Sequence, residues 1–311
     1  MDIRVLPVGQ GLSWFKQAID LGARNPRAVF GAALLVIIAM YTTVLAVALL
    51  AAMMAGVGDA AAAGQTDMRR AAMVAFPLFI LIMLLVPVLL GGLMHVIRES
   101  EAGRPVRARH VFAPLGQAQG RRLALLGLVQ IGLAIVGGLL FMAVAGADYW
   151  RDYMEAMRGA MSGTIPVMPE PEHPGLLFVM QMVFNYFSYT VMLFSIPLML
   201  FSGLSLGAAV RDSLRAAVRN AGANLLAGAL FMCGLLVAAL LVVLLIGLAM
   251  LVGSLIHGIV GSLLALLVGL GFASVAMVLV VGAAYLAWRD TFGDIGGVAG
   301  SPTALPHGIE L

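Results

Sequence analysis

Gly203, Leu204, Ser205, Leu206 and Gly207 place a serine between glycines at the spacing of a hydrolase nucleophile elbow. That chemistry needs a strand entering the turn and a helix leaving it, with a histidine in hydrogen-bond reach of the serine Oγ. Here the motif ends a long apolar run instead. A six-span membrane hydrolase would pair a fourth-span serine with a sixth-span histidine. The histidine nearest the sixth span, His257, falls at the end of that span away from Ser205. About 30 Å of hydrocarbon then lies where a bond of about 3 Å is required. His95 and His110 share the Ser205 side, which keeps a membrane-embedded hydrolase as the third expectation. Small residues easing helix packing explain the glycines better.

A second pattern is a polar seam. Gln181, Asn185, Ser188, Met192, Ser195, Met199 and Ser202 follow steps of four and three, the period of one helical stripe. A side-chain amide facing lipid is costly, so the stripe is expected to face protein or water. Helix packing is the first reading and a hydrated path the second. Pro197 beside it, and Pro77 and Pro87 in an earlier span, are expected to kink their helices. No carboxylate pair, His and Cys cluster at metal spacing, or glycine loop followed by Lys occurs, so no cofactor is expected. The single cysteine, Cys233, lies mid-span and reads as a packing residue.

These residues sit on elements that composition identifies. The chain is 62% hydrophobic and only 11% charged, with a mean hydropathy of +1.05, far from the roughly 25% charge of soluble domains. Arg219 and Arg289 enclose a run without Asp, Glu, Lys or Arg. At about 20 residues per bilayer crossing it suits two helices and a tight turn. The fold class is therefore an all-α polytopic membrane protein, because helices satisfy their own backbone groups in lipid. A β-barrel is excluded, since its strands alternate apolar and polar residues.

Six spans are expected at 28–57, 71–97, 123–145, 176–204, 221–252 and 259–288 within a single membrane domain, 1–295, followed by a disordered tail, 296–311. The first span, preceded by a long amphipathic segment, reads as retained rather than cleaved. Fourteen of the Lys and Arg residues fall at the amino terminus, in the second and fourth connections and in the tail. Only Arg69, Arg70, Arg151 and Arg158 fall on the other side. The imbalance places both termini in the cytoplasm, with the membrane expected to be a bacterial inner membrane. The net charge of +3 is accounted for by these juxtamembrane clusters, so no nucleic acid is expected as a partner.

Each pair of spans follows a short helical segment, near 9–24, 109–120 and 206–219, which gives three repeated units of interfacial helix plus transmembrane hairpin at about 9–97, 104–204 and 206–288. In the first segment Leu12, Phe15, Ala18 and Ile19 form an apolar arc against Ser13, Lys16, Asp20, Arg24 and Arg27. In the third, Val210, Leu214 and Val218 share a face beside a ridge of Arg211, Arg215 and Arg219, candidate lipid-headgroup or orientation residues. Arg24 with Asn25 recurs as Arg219 with Asn220. The outer connection, 147–175, begins with the aromatic-rich Tyr149, Trp150 and Tyr153, expected as an interfacial helix, and continues through four prolines that forbid one.

Gly11, Trp14, Asn25 and Pro26 at one end, the six-span layout, and Tyr285, Trp288, Arg289, Asp290, Phe292 and Gly293 at the other resemble an uncharacterised family of bacterial multi-pass inner-membrane proteins. The chain is also distantly similar to the membrane domain of some glycerophosphoryl diester phosphodiesterases. The resemblance implies fold and location; it brings no activity, because the soluble catalytic domain of those enzymes has no counterpart here. The leading functional expectation is a non-enzymatic scaffold or envelope-assembly component that binds membrane lipid or a periplasmic or inner-membrane protein. The alternative is a transporter or channel for a small neutral or lipidic solute.

Overall fold

In a computed structural model of the chain, residues 2–55, 68–146, 148–161 and 165–293 are described. The expected tail, 296–311, and the end of the first expected span lie outside them. The described residues form helices and no strand. The wedge helix α1 is Gln10–Arg24 and the first span lies in α2, Pro26–Ala55. Next come α3, Met68–Glu101, and a 3-10 segment, Ala108–Gly116. They are followed by α4, Ala118–Ala145, α5, Tyr149–Met161, and α6, Pro174–Leu200. The last unit is α7, Leu206–Arg219, α8, Ala221–Ser254, and α9, Gly258–Phe292. Six of these helices are long and apolar enough to cross a membrane.

Local chemistry explains several boundaries. Pro26 opens α2 and Pro174 opens α6, where a missing N–H is harmless and φ is already helical. The Asn25 side chain accepts from the backbone N–H of Ala28 at 3.3 Å, capping α2. His257 does the same for α9, its Nδ1 accepting from Ile259 at 3.2 Å. The middle interfacial segment differs from expectation. Pro114 and Gly116 allow only the short 3-10 helix, Gln117 is extended, and Arg121 and Arg122 belong to the first turns of α4.

Burial is concentrated at one end of the bundle, the end carrying α1, the 3-10 segment and α7. Val88–Ile97 of α3, Ala28–Ile37 of α2 and Val278–Phe292 of α9 contribute most of the core, with Leu123, Leu126, Ile196 and Leu198. Toward the other end burial falls away, and Phe76, Leu139 and Leu244 are exposed. Lipid tails solvate such side chains as well as protein does, so nothing hydrophobic drives that end shut. No residue in the most apolar stretch of α8 is buried. With 34 and 35 residues, α8 and α9 run to about 50 Å, beyond the roughly 30 Å hydrocarbon core. Their tip carries Leu255 at 81% and Ile256 at 76% exposure.

The repeat closes differently from its order in sequence. Each interfacial element packs into the hairpin before it: the 3-10 segment against α2 and α3, and α7 chiefly against α6. The first element has no hairpin before it, and α1 docks instead against α8 and α9. Packing thus crosses the boundaries 9–97, 104–204 and 206–288 and links the units in a ring.

The docking faces also differ from the expected arcs. In α1 the buried residues are Gly11, Trp14, Ala18, Leu21 and Gly22, while Leu12 and Ile19 are exposed. In α7 they are Ala209, Asp212, Ser213, Ala216 and Ala217, while Leu214 and Val218 are exposed. The cause is close approach. A Cβ on Gly11 would lie 2.4 Å from the Ala223 carbonyl oxygen of α8, and one on Gly92 of α3 would lie 1.8 Å from the Val111 carbonyl oxygen of the 3-10 segment. Small residues let these elements wedge between helices, leaving larger apolar side chains outside.

Candidate functional site

The packed end holds a polar cluster built by three elements. From α9 come Tyr285, Arg289 and Asp290, from α1 come Gln10, Trp14 and Gln17, and from the end of α3 comes Glu101. The Arg289 guanidinium bonds both acids, with Nη1 to Glu101 Oε1 and Nε to Asp290 Oδ1 at 3.1 Å. Tyr285 donates its hydroxyl to Glu101 Oε2 at 2.7 Å. Trp14 Nε1 and Gln10 Nε2 donate to Asp290 Oδ2 at 2.9 and 2.8 Å. Side-chain exposure is 27% for Arg289 and 18% for Glu101, so the pair is only partly solvated. Beside it, Phe201 packs on Trp288 with ring centroids 5.2 Å apart, and the Arg98 guanidinium lies 4.5 Å from the centre of the Phe201 ring. Each carboxylate is thereby committed to holding α9 against α1 and α3.

A second tie comes from Asn220, between α7 and α8. Unlike Asn25 it caps nothing with its side chain. Its Oδ1 accepts from the Leu6 backbone at 2.8 Å and its Nδ2 donates to the Arg4 carbonyl at 2.9 Å, while the Arg4 N–H reaches the Thr291 carbonyl at 2.9 Å. The same dipeptide thus caps a helix in one unit and pins the amino-terminal segment in another. Asn220→Ala leaves Leu6 N–H and Arg4 C=O without these partners, at about 1–3 kcal/mol. Limited proteolysis is expected to cut within residues 2–8 faster in this variant than in Asn25→Ala.

The fourth-span seam divides along α6. Ser195 and Ser213 of α7 share a buried hydroxyl bond of 3.0 Å. Ser188 donates to Gln130 Oε1 of α4 at 3.3 Å, and Gln130 Nε2 returns to the Ser188 carbonyl. Ser202 is partly buried beyond the end of α6. Gln181 departs from the expected interior position: it is exposed, and its Nε2 donates to Asn185 Oδ1 on the same helix at 3.1 Å. Its bond thus stays within α6. Periodicity did not reveal Tyr186, whose hydroxyl donates to the Ala217 carbonyl at 2.7 Å and accepts from Asn224 Nδ2 at 3.4 Å.

Of the arginine ridge, Arg211 and Arg215 converge on Asp212 at 3.2 and 3.9 Å, with 60% exposure for each arginine and 2% for the acid. Arg219 reaches the Ile3 carbonyl at 3.5 Å. Ser205 is exposed before the first turn of α7, whereas His257 caps α9 at the opposite end of the bundle. His110 Nδ1 accepts from the Arg107 N–H at 3.4 Å. Among the described residues no group of three His, Cys, Asp or Glu could hold a metal.

No family model, curated protein or solved structure matches the chain. The two ends of the chain meet where Trp14 bonds Asp290, while Tyr285 and Arg289 bond Glu101 at the end of α3 and Phe292 packs edge-on to Phe194 of α6 at 6.1 Å. They form the joint that closes the ring of units.

Proposed function

We propose that this chain is a non-enzymatic protein of a bacterial cytoplasmic membrane, a scaffold or envelope-assembly component that binds lipid or a partner protein. The use of its polar side chains carries this reading. Glu101, Arg289, Asp290, Asn220, Ser195 and Tyr186 tie one element to another at the packed end. The spans meanwhile present apolar surface to lipid. The Lys and Arg imbalance supports cytoplasmic termini. On the opposite side α5 offers stacked Trp150 and Tyr153, 5.7 Å apart, as a surface for a periplasmic or membrane partner. The resemblance supports the bacterial inner membrane as location.

A carrier or channel for a small neutral or lipidic solute is the second reading, favoured by one observation: Gln181 and Asn185 bond each other within one membrane-crossing helix, with Gln181 exposed. A hydrolase has least support, because Ser205 lies between two helices and no strand, which a nucleophile elbow needs, occurs among the described residues. Single cysteines in a Cys233→Ser background separate the first two. Water-soluble thiol reagents are expected to leave Ser188→Cys and Ser195→Cys unmodified in native membranes. Modification of both, together with Gln181→Cys and Asn185→Cys, would establish a wet route and end the scaffold reading. In intact cells the same reagents are expected to modify Glu170→Cys and spare Arg107→Cys, and the reverse would invert the orientation.

A further inference from the structure

Between α4, α6 and α7 runs an open groove of 430 Å³ whose lining residues are apolar apart from Ser188. Its size lies in the range of about 300–1,000 Å³ found for clefts that hold small molecules. Leu140 and Leu176 wall it toward the less buried end, and Val210 and Leu214 of α7 wall it at the packed end. Inside a membrane such a groove is filled by acyl chain, and charge at its mouth decides which lipid supplies it.

Two elements place arginine there. On α7 each groove-lining residue is followed directly by an arginine, Arg211 after Val210 and Arg215 after Leu214, with both side chains 60% exposed. The two share the single carboxylate of Asp212, so together they keep a net positive charge. On α4 the exposed Arg122 stands 7, 11 and 18 residues before Val129, Leu133 and Leu140. Those offsets are close to whole turns of 3.6 residues, which sets Arg122 on the groove-facing stripe. Basic groups from two helices thus flank the packed-end mouth of an apolar cleft.

We infer that this groove binds one anionic phospholipid from the leaflet on the packed side, with an acyl chain along α4 and α6 and the phosphate between Arg122 and the Arg211 and Arg215 pair. This rests on the lipid-binding reading above and gives it a site and a lipid class. A zwitterionic headgroup carries its own cation and gains less from three arginines. Each arginine near an anionic headgroup contributes about a factor of five, so the preference is expected on the order of tenfold to a hundredfold.

The test is native mass spectrometry of the full chain, purified in mild detergent and offered phosphatidylglycerol or phosphatidylcholine with identical acyl chains. The wild type is expected to retain one phosphatidylglycerol in preference to phosphatidylcholine. Combined Arg122→Gln, Arg211→Gln and Arg215→Gln erases the preference, whereas Arg151→Gln with Arg158→Gln at α5 preserves it. Val183→Trp, which fills the groove, lowers retention of both lipids. Should that variant fail to fold, the arginine set still decides, because its side chains are exposed. Equal retention of the two lipids by the wild type, or an undiminished preference in the triple variant, overturns the site. That result with Ser188→Cys and Ser195→Cys still protected leaves the scaffold reading standing; a wet seam with the lipid preference intact does the opposite.

Discussion

Trp14→Ala is expected to cost about 3–5 kcal/mol, the range for emptying a buried indole site. The side chain is 1% exposed and sits where α1 enters the last hairpin. Truncation opens a cavity against α8 and α9 and removes the Nε1 donor from Asp290. Trp14→Phe separates the two effects: it keeps most of the volume and loses only the bond to a charged acceptor, at about 1.5–3 kcal/mol. Thermal unfolding of the purified protein in detergent is the measurement, with Trp150→Ala on the exposed surface of α5 as the control. A shift for Trp14→Ala no larger than for Trp150→Ala would show that α1 is not a structural wedge.

Gly92→Ala is the other large effect. The added methyl would fall 1.8 Å from the Val111 carbonyl oxygen and 2.7 Å from its carbon. Backbone atoms cannot swing aside as a flexible side chain can, so the 3-10 segment has to leave α3. Overpacking of this kind costs about 1–3 kcal/mol where a core can adjust and more where it cannot. Loss of folded, monodisperse protein on size-exclusion chromatography is expected. Gly138→Ala on α4, where a Cβ meets open space, is expected to behave as wild type. Normal yield and melting of Gly92→Ala would show that the fold does not depend on close approach of the 3-10 segment to α3.

How much of this was legible beforehand differs by feature. Spans were legible because charge is excluded from lipid over lengths that far exceed local noise, and the uncharged run from Asn220 to Trp288 became α8, a tight turn and α9. The bounds of α7 matched the expected segment, since its arginine-bearing stretch ends where the uncharged run begins. Which arc of α1 or α7 is buried was not legible. Amphipathic reading ranks side chains by hydrophobicity, whereas these helices dock by smallness, so Ala216 and Ala217 go in while Leu214 and Val218 stay out. The candidate seam was visible as a period on α6, but its partners were not. Gln130 lies 58 residues from Ser188, and Glu101 lies 188 from Arg289. No periodicity within one helix encodes such pairs.

The docking of α1 into the final hairpin has a consequence for how the chain is made. Trp14 and Asp290 are 276 residues apart. At ribosomal rates of about 5–20 residues per second, α1 emerges roughly 14–55 s before its seat exists. Through that interval Trp14, Ala18 and Leu21 face solvent or the membrane surface unsheltered, while the first two hairpins are made and inserted. Until the last two spans arrive, the half-built molecule carries a loose wedge, and any neighbouring chain that has finished α8 and α9 before its own wedge docks offers the same seat. The joint that completes the fold is thus also where two nascent copies can exchange ends.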